Sequence, residues 1–213
     1  MLIERDGNTN ETFFENLVIQ EDIFNNQKAY LIKYTPRRII PTNHNSFTLE
    51  GEITSIPYIN MTLALLDEIG VETSFVENKI IVTSSAVEMP SKKITIESDW
   101  SSASYWFSIV ALSEIGTQIT LSSYKQNSLQ GDAALVEIYK NFGIETIFNN
   151  DNSISISKIN FNFKNQKSLL FNLQSSPDIA QTIAVTCFGL GIGCHLTGLH
   201  TLKIKETDRL EAL

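Results

Sequence analysis

A mixed α/β (α+β) fold assembled from a repeated strand, helix, strand-pair unit is predicted by three features of this 213-residue chain. A segment recurs: residues 69–83 read IGVETSFVENKIIVT and residues 142–157 read FGIETIFNNDNSISIS, placing Gly70 and Gly143 73 positions apart. Each copy follows apolar residues at helical spacing, Met61, Leu63, Leu65, Leu66 and Ile69 in the first and Ala134, Leu135, Ile138, Tyr139 and Phe142 in the second. Composition agrees, with 42% hydrophobic and 19% charged residues, a globular balance.

Taken in order, the first 45 residues carry no copy of the unit. They are rich in Asn, Glu and Phe, and TPRRIIPTN at 35–43 reads as a turn. Arg37 and Arg38 beside prolines read as a solvated loop or an anion contact. The first helix closes at Gly70 and the second at Gly143, where a residue lacking Cβ takes positive φ without strain. The apolar runs beyond each glycine read as β-hairpins, with Glu77-Asn78 at one turn and Asn149 to Asn152 at the other. Ser84, Ser85, Met89, Pro90 and Ser91 form a linker-like stretch and the best domain boundary. A further helix is predicted over 101–115, followed by Gly116 and a strand at 117–122. Another is predicted over 178–190, followed by Gly191, Gly193 and a strand at 193–198.

Charge narrows the function. With 16 Lys+Arg against 24 Asp+Glu the formal net charge is −8, and the pI is about 4.9. That balance argues against non-specific nucleic-acid binding, which needs basic surface. No apolar run approaches the ~20 residues of a membrane span. The opening MLIERDGNTNETFFE has no basic segment followed by an apolar one, so no secretion signal is read and a cytoplasmic setting is expected. Cys187 and Cys194 sit in apolar sequence and read as buried thiols rather than a disulfide.

Four stretches hold polar residues that a plain core does not require. In TSIPYIN at 54–60, Ser55 fits an N-cap and Pro57 a first helical turn, while Ser55, Tyr58 and the free N–H groups together suit an anion. In ESDWSSASYWF at 97–107, Asp99, Ser101 and Ser102 spell a helix start, and Ala103, Ser104 and Ser108 are small enough for close packing against a sheet. In SSPDIAQTIA at 175–184, Asp178 either complements the helix dipole or stands as a general base; locally the two readings are equivalent. In LKIKETDRLEAL at 202–213, Lys203, Lys205 and Arg209 gather three cations. Lys205 and Arg209 share a face if the segment is helical, Glu206 lies beside them, and Thr207 and Asp208 offer caps. A solvated charged helix is the plain reading; the alternative is a site where Arg209 forks onto carboxylate or phosphate and Lys205 donates to hydroxyl or phosphate.

KETDRL, SSPDIAQTIA, DWSSASY, NSLQGD at 127–132 and TSIPYINMTLALL occur in one order across residues 46–213. In that order they resemble the 5-enolpyruvylshikimate-3-phosphate synthases. The resemblance implies two globular domains of βαβαββ units, incomplete here, with residues 46–97 as the end of the first domain and 98–213 as the beginning of the second. It implies transfer of the carboxyvinyl group of phosphoenolpyruvate to the 5-hydroxyl of shikimate 3-phosphate, in aromatic amino acid biosynthesis, with no metal or organic cofactor. Its partners are then those two small molecules, not nucleic acid or membrane. Residue by residue, Ser55 and Tyr58 match the shikimate 3-phosphate site and Asp178 the proton acceptor at the shikimate hydroxyl. Lys205 matches the lysine at the shikimate phosphate, Glu206 the proton donor to the vinyl methylene, and Arg209 a phosphoenolpyruvate-binding arginine. Thr201 stands where many members have Asn.

The pattern also departs from the family. No segment ahead of residue 46 matches its Lys-Ser segment, its Asn-Ala-Gly-Thr loop or its Ser-Ser-Gln motif, and Leu213 directly follows KETDRLEA. The expectation is a fragment with half an active site, inactive alone. Two alternatives stand beside it: a non-catalytic anion-binding fragment of the same fold, and a relative acting on UDP-N-acetylglucosamine. Against the latter stand KETDRL and the Asp178 segment.

Overall fold

The computed structural model describes residues 17–24, 27–34, 45–49, 53, 55–83, 94–160, 168–204 and 207–211. Strands β1 (Leu17–Phe24) and β2 (Gln27–Tyr34) pair antiparallel in the segment that carries no copy of the repeat. Arg37, Arg38 and the linker at 84–93 lie outside the described residues.

The predicted unit then appears twice with one topology. In the first copy β3 (Asn45–Thr48), α1 (Ile56–Glu68), β4 (Glu72–Val76) and β5 (Lys79–Thr83) build a three-stranded sheet in the order β3-β5-β4. After α2 (Trp100–Leu112), the second copy is β6 (Gln118–Leu121), α3 (Leu135–Lys140), β7 (Ile144–Phe148) and β8 (Ile154–Lys158), in the order β6-β8-β7. In both, the last strand sits centrally and runs antiparallel to its neighbours. Gly70 and Gly143 close the helices at φ of 85° and 75°, as a C′ glycine should. Finally β9 (Ser168–Asn172), α4 (Ala180–Gly189) and β10 (Gly193–Thr197) form the start of another unit, its two strands parallel, as a helical crossover requires.

One core serves residues 100–202. Trp100, Phe107, Tyr139, Phe142, Ile154, Ile156, Ile183 and Leu202 are all fully buried. Their rings meet edge-on, Phe107 to Tyr139 at 5.3 Å and Trp100 to Tyr124 at 4.9 Å between centroids, the arrangement the ring quadrupole favours. The small residues of α2 do more than lie on a sheet: α2 packs on α4 as well as β8, and Ser108 Oγ lies 2.8 Å from Thr186 Oγ1. The outer sides of α2 and α4 leave Tyr105, Ile109, Val185 and Phe188 exposed.

Several local expectations are corrected. The helix expected over 178–190 opens as a 3-10 turn, Pro177–Ile179, before α4 begins. The segment 202–213 is not one α-helix: His200–Ile204 is 3-10 and residues 209–211 are turn. Asp208 Oδ1 accepts the N–H groups of Leu210 at 3.0 Å and Glu211 at 3.2 Å, giving those donors a local partner in place of a helical ladder. Cys187 is buried, but Cys194, on edge strand β10, is exposed; both are free thiols.

Candidate active site

The first site segment is the start of α1. Ser55 occupies the N-cap position, but with φ 53° and ψ 35° its side chain makes no capping hydrogen bond, which corrects the cap expectation. Its backbone is what is fixed: Ser55 N–H donates to the Gln174 carbonyl at 3.2 Å, and Tyr58 N–H to the Ser55 carbonyl at 2.9 Å. Pro57 lies in the first turn as expected, where its missing N–H is harmless.

Against this end presses the NSLQGD loop. A Cβ on Gly131 would lie 2.4 Å from the Ser175 carbonyl oxygen and 3.2 Å from both Pro57 Cβ and Tyr58 Cε2, so only glycine fits. Asp132, the next residue, has no exposed surface. Ser101 Oγ donates to its Oδ2, while its Oδ1 is buried without a hydrogen-bond partner. Burial pushes the Asp132 carboxyl above its ordinary range against the pull of Ser101 and Tyr58, and the Asp178 and Asp99 charges push the same way. Burial, then the Asp132 charge, hold the Tyr58 phenol well above its ordinary range.

The loop is also tied to the start of α2. Asp99 is the N-cap, accepting from Ser101 N–H at 2.9 Å and Ser102 Oγ at 2.8 Å, as the sequence predicts. Gln130 Oε1 takes the Trp100 N–H at 2.9 Å while its Nε2 donates to the Ser98 carbonyl, and Ser128 Oγ donates to Glu97 Oε1 at 2.7 Å. DWSSASY and NSLQGD are thus one interlocked structure.

The remaining segment carries Asp178 in its 3-10 turn. Arg209 Nη1 donates to Asp178 Oδ1 at 3.1 Å, with the two side chains 24% and 30% exposed, so the predicted base and the predicted anion-binding arginine face each other. Arg209 is held further by its N–H, which donates to the Leu202 carbonyl at 3.1 Å. The turn bearing Asp178 packs against the one bearing Thr201, whose Oγ1 is buried without a hydrogen-bond partner. Lys203 is exposed, and Lys205 and Glu206 lie outside the described residues.

The structure therefore brings Ser55, Tyr58, Asp178 and Arg209 to one junction. Ser55 is bonded to the carbonyl of Gln174, four residues before Asp178 in the chain. Sequence reading missed Gly131 and Asp132 as members of this junction. Their signal was an acid set between glycine and the apolar run AALVEIY, where a solvated loop needs neither. Chemically, the junction offers hydroxyls and a guanidinium for anions and a half-exposed carboxylate for a proton.

A family model described as EPSP synthase (3-phosphoshikimate 1-carboxyvinyltransferase) matches residues 40–213. A 3-phosphoshikimate 1-carboxyvinyltransferase of Bacteroides fragilis (strain YCH46) is 39% identical over 165 residues, covering 78% of this chain and 39% of that protein. One from Brachyspira hyodysenteriae is 32% identical over 173 residues, covering 80% and 39%. One from Methanosphaera stadtmanae is 30% identical over 169 residues, covering 78% and 38%. The chain spans about two fifths of the length of these curated relatives. Among the described residues, no helix is long and apolar enough to cross a membrane.

Proposed function

The chain belongs to the EPSP synthase family, and from that premise we propose that its junction serves the transfer of the carboxyvinyl group of phosphoenolpyruvate to the 5-hydroxyl of shikimate 3-phosphate, in the cytoplasm. The observation that carries this reading is the Ser55 hydrogen bond to the Gln174 carbonyl, which ties the start of α1 to the segment that bears the Asp178–Arg209 pair. A surface loop or a dipole-complementing acid has no need of that convergence.

In this reading residues 46–97 close one domain and residues 98–213 open the next, with the substrates between. Asp178 accepts the proton of the shikimate hydroxyl as its oxygen bonds to C2 of phosphoenolpyruvate, and Glu206 supplies the proton that C3 gains. Loss of a C3 proton and of inorganic phosphate then restores the vinyl group. Arg209 neutralises phosphoenolpyruvate, Lys205 reaches the shikimate phosphate, and Ser55, Tyr58 and Thr201 hold shikimate 3-phosphate. The roles of Lys205 and Glu206 are supported by the KETDRL match alone. Preorganised cations are what such chemistry requires, because both substrates are polyanions.

Binding is the direct test. Shikimate 3-phosphate titrated into the 213-residue chain is expected to move the NMR resonances of Ser55 and Tyr58 at millimolar ligand, about 4 kcal/mol of affinity. A titration that moves neither sinks the reading. The 213-residue chain assayed alone is expected to release no phosphate from the two substrates; turnover on the order of 10 s⁻¹ overturns that expectation. In a longer protein carrying these residues, Asp178→Asn and Glu206→Gln should each lower kcat by about 10²–10⁴-fold with KM little changed. Arg209→Lys keeps charge but loses the fork, so its main effect should fall on phosphoenolpyruvate KM.

A further inference from the structure

We infer that Asn172 is a positioning residue of the candidate site: its side-chain carbonyl, seated against Gly198, fixes Gln174, and the Gln174 carbonyl in turn holds Ser55 in its left-handed conformation. The inference rests on the proposed reading of Ser55 as a substrate contact.

The Ser55 backbone is what asks for a cause. At φ 53° and ψ 35° it adopts a conformation uncommon outside glycine, and no side-chain capping bond accompanies it. Such backbone persists only where its surroundings over-determine it. Two hydrogen bonds hold it: Ser55 N–H to the Gln174 carbonyl at 3.2 Å, and Tyr58 N–H to the Ser55 carbonyl at 2.9 Å. The second belongs to the first turn of α1 and moves with the helix. The first crosses to a distant part of the chain, so the place of Gln174 decides where Ser55 stands.

Gln174 follows the end of β9, where the ladder to β10 stops at the Asn172–Thr197 pair. The chain turns there. Leu173 N–H donates to the Thr197 carbonyl at 2.9 Å, and Ser176 N–H to the Leu173 carbonyl at 3.0 Å. The Gln174 N–H goes to a side chain: Asn172 Oδ1 accepts it at 3.1 Å, the two-residue link that asparagine makes at turns. The chain leaving β10 then closes on the same atoms. A Cβ on Gly198, at φ 77°, would lie 2.4 Å from Gln174 N and 2.7 Å from both Gln174 Cα and Asn172 Oδ1, so only glycine fits. The Asn172 oxygen therefore stands in a seat made by two stretches of backbone. Next along the turn, the Ser175 carbonyl lies against Gly131, where a Cβ would come within 2.4 Å of it. Between these two contacts the Gln174 carbonyl is aimed at Ser55. An exposed polar residue that merely ends a strand needs no such seat.

Amide exchange reads Ser55 directly. In the 15N-labelled 213-residue chain, exchange is followed at Ser55 and along α4 in wild type, Asn172→Ala and Asn172→Asp. Asn172 is exposed, so its replacement leaves the core intact. Loss of the acceptor for Gln174 N–H should quicken exchange at Ser55 by up to about tenfold, the factor that one hydrogen bond of ordinary strength sets. The α4 amides should keep their protection. Asn172→Asp keeps the acceptor oxygen and should restore the wild-type rate. Shikimate 3-phosphate is then titrated by NMR in about 0.15 M salt, which screens the added charge. Asn172→Ala should weaken binding about tenfold, while Asn172→Asp should hold it within about threefold of wild type. An unchanged Ser55 rate in Asn172→Ala overturns the assignment, as does a uniform quickening that includes α4, or equal loss of binding in the alanine and aspartate variants. If wild type binds no shikimate 3-phosphate while Asn172→Ala still quickens Ser55 alone, the proposed substrate falls and the hold of Asn172 on Ser55 stands.

Discussion

The helix and hairpin of residues 56–83 and those of residues 135–158 share a sequence pattern, a strand order and a positive-φ glycine, yet differ completely in burial. In the first, α1 has no buried residue, β4 alternates between exposed and half-buried positions, and β5 is half-buried after its exposed first residue. In the second, every residue of β8 but one is buried, and Leu135 and Tyr139 of α3 enter the core. The cause lies in neighbours. β8 is covered by α2, with α4 behind, whereas the chief contact of α1 within its unit is β4. Local grammar therefore makes the unit, and only a second layer makes it a core. The two regions are joined at one seam, where the start of α1 meets Gly131, Asp132 and Gln174, and the candidate site sits on that seam.

The largest expected effect tests the asymmetry itself. Phe107→Ala removes a fully buried ring and should cost about 3–5 kcal/mol. Leu66→Ala, at a half-buried position of α1, should cost about 1 kcal/mol. Urea denaturation of both variants gives the comparison, and equal costs would mean that α1 is packed as tightly as α2.

Next comes the seam. Gly131→Ala places a methyl against the Ser175 carbonyl, a backbone atom that cannot swing aside, and should cost about 1–3 kcal/mol. Amide hydrogen exchange is expected to quicken in α1 while the β6-β8-β7 sheet keeps its protection. Uniform loss across both regions would show the seam to be part of one cooperative core rather than a contact between two.

Much of this was legible in the sequence. Gly70 and Gly143, the helical spacing before each and the hairpins after them announce the unit, because turns and amphipathic periods are local. The cap at Asp99 was legible for the same reason. Burial was not, since Leu66 and Leu135 look alike until their neighbours are known. Nor was the left-handed Ser55, whose conformation follows from the Gln174 carbonyl it must reach. Of the candidate site, the motif order named Ser55, Tyr58, Asp178 and Arg209, but not the buried Asp132, next to the glycine pressed against α1.

A third effect concerns Lys158, a buried lysine that the first unit lacks: Thr83 ends β5 at the matching place. Its Nζ donates to the Ala111 carbonyl at 2.8 Å and the Phe142 carbonyl at 2.7 Å, close to the ends of α2 and α3. Lys158→Met strands those carbonyls and should cost about 1–2 kcal/mol at neutral pH. Burial lowers the Lys158 pKa below its ordinary value of 10.5. The unfolded chain therefore binds more protons in the window between the lowered value and 10.5, so this group's contribution to stability rises with pH there. Denaturation of wild type and Lys158→Met from pH 8 to 10.5 should show the gap between them widening. A gap that narrows would reverse the sign and leave burial as the wrong cause.

The smallest effect isolates the hairpin tips, where the two copies can be compared free of the core. Glu77 and Asn152 both sit in the left-handed region, at φ of 57° and 61°. Asparagine tolerates that region better than glutamate, because its short polar side chain bonds locally. Glu77→Asn should therefore stabilise the β4–β5 hairpin by about 0.5 kcal/mol, and Asn152→Glu should destabilise β7–β8 by a similar amount. Where each change registers follows from burial. The first hairpin has no buried side chain, so its gain should slow exchange of the β4 and β5 amides and leave the global unfolding midpoint unchanged. The second hairpin contributes Ile154 and Ile156 to the core, so its loss should move the global midpoint. Local effects of equal size, slowing in the first hairpin and quickening in the second with neither change reaching the global transition, would show that the two copies are energetically alike and that the contrast in burial does not divide the molecule.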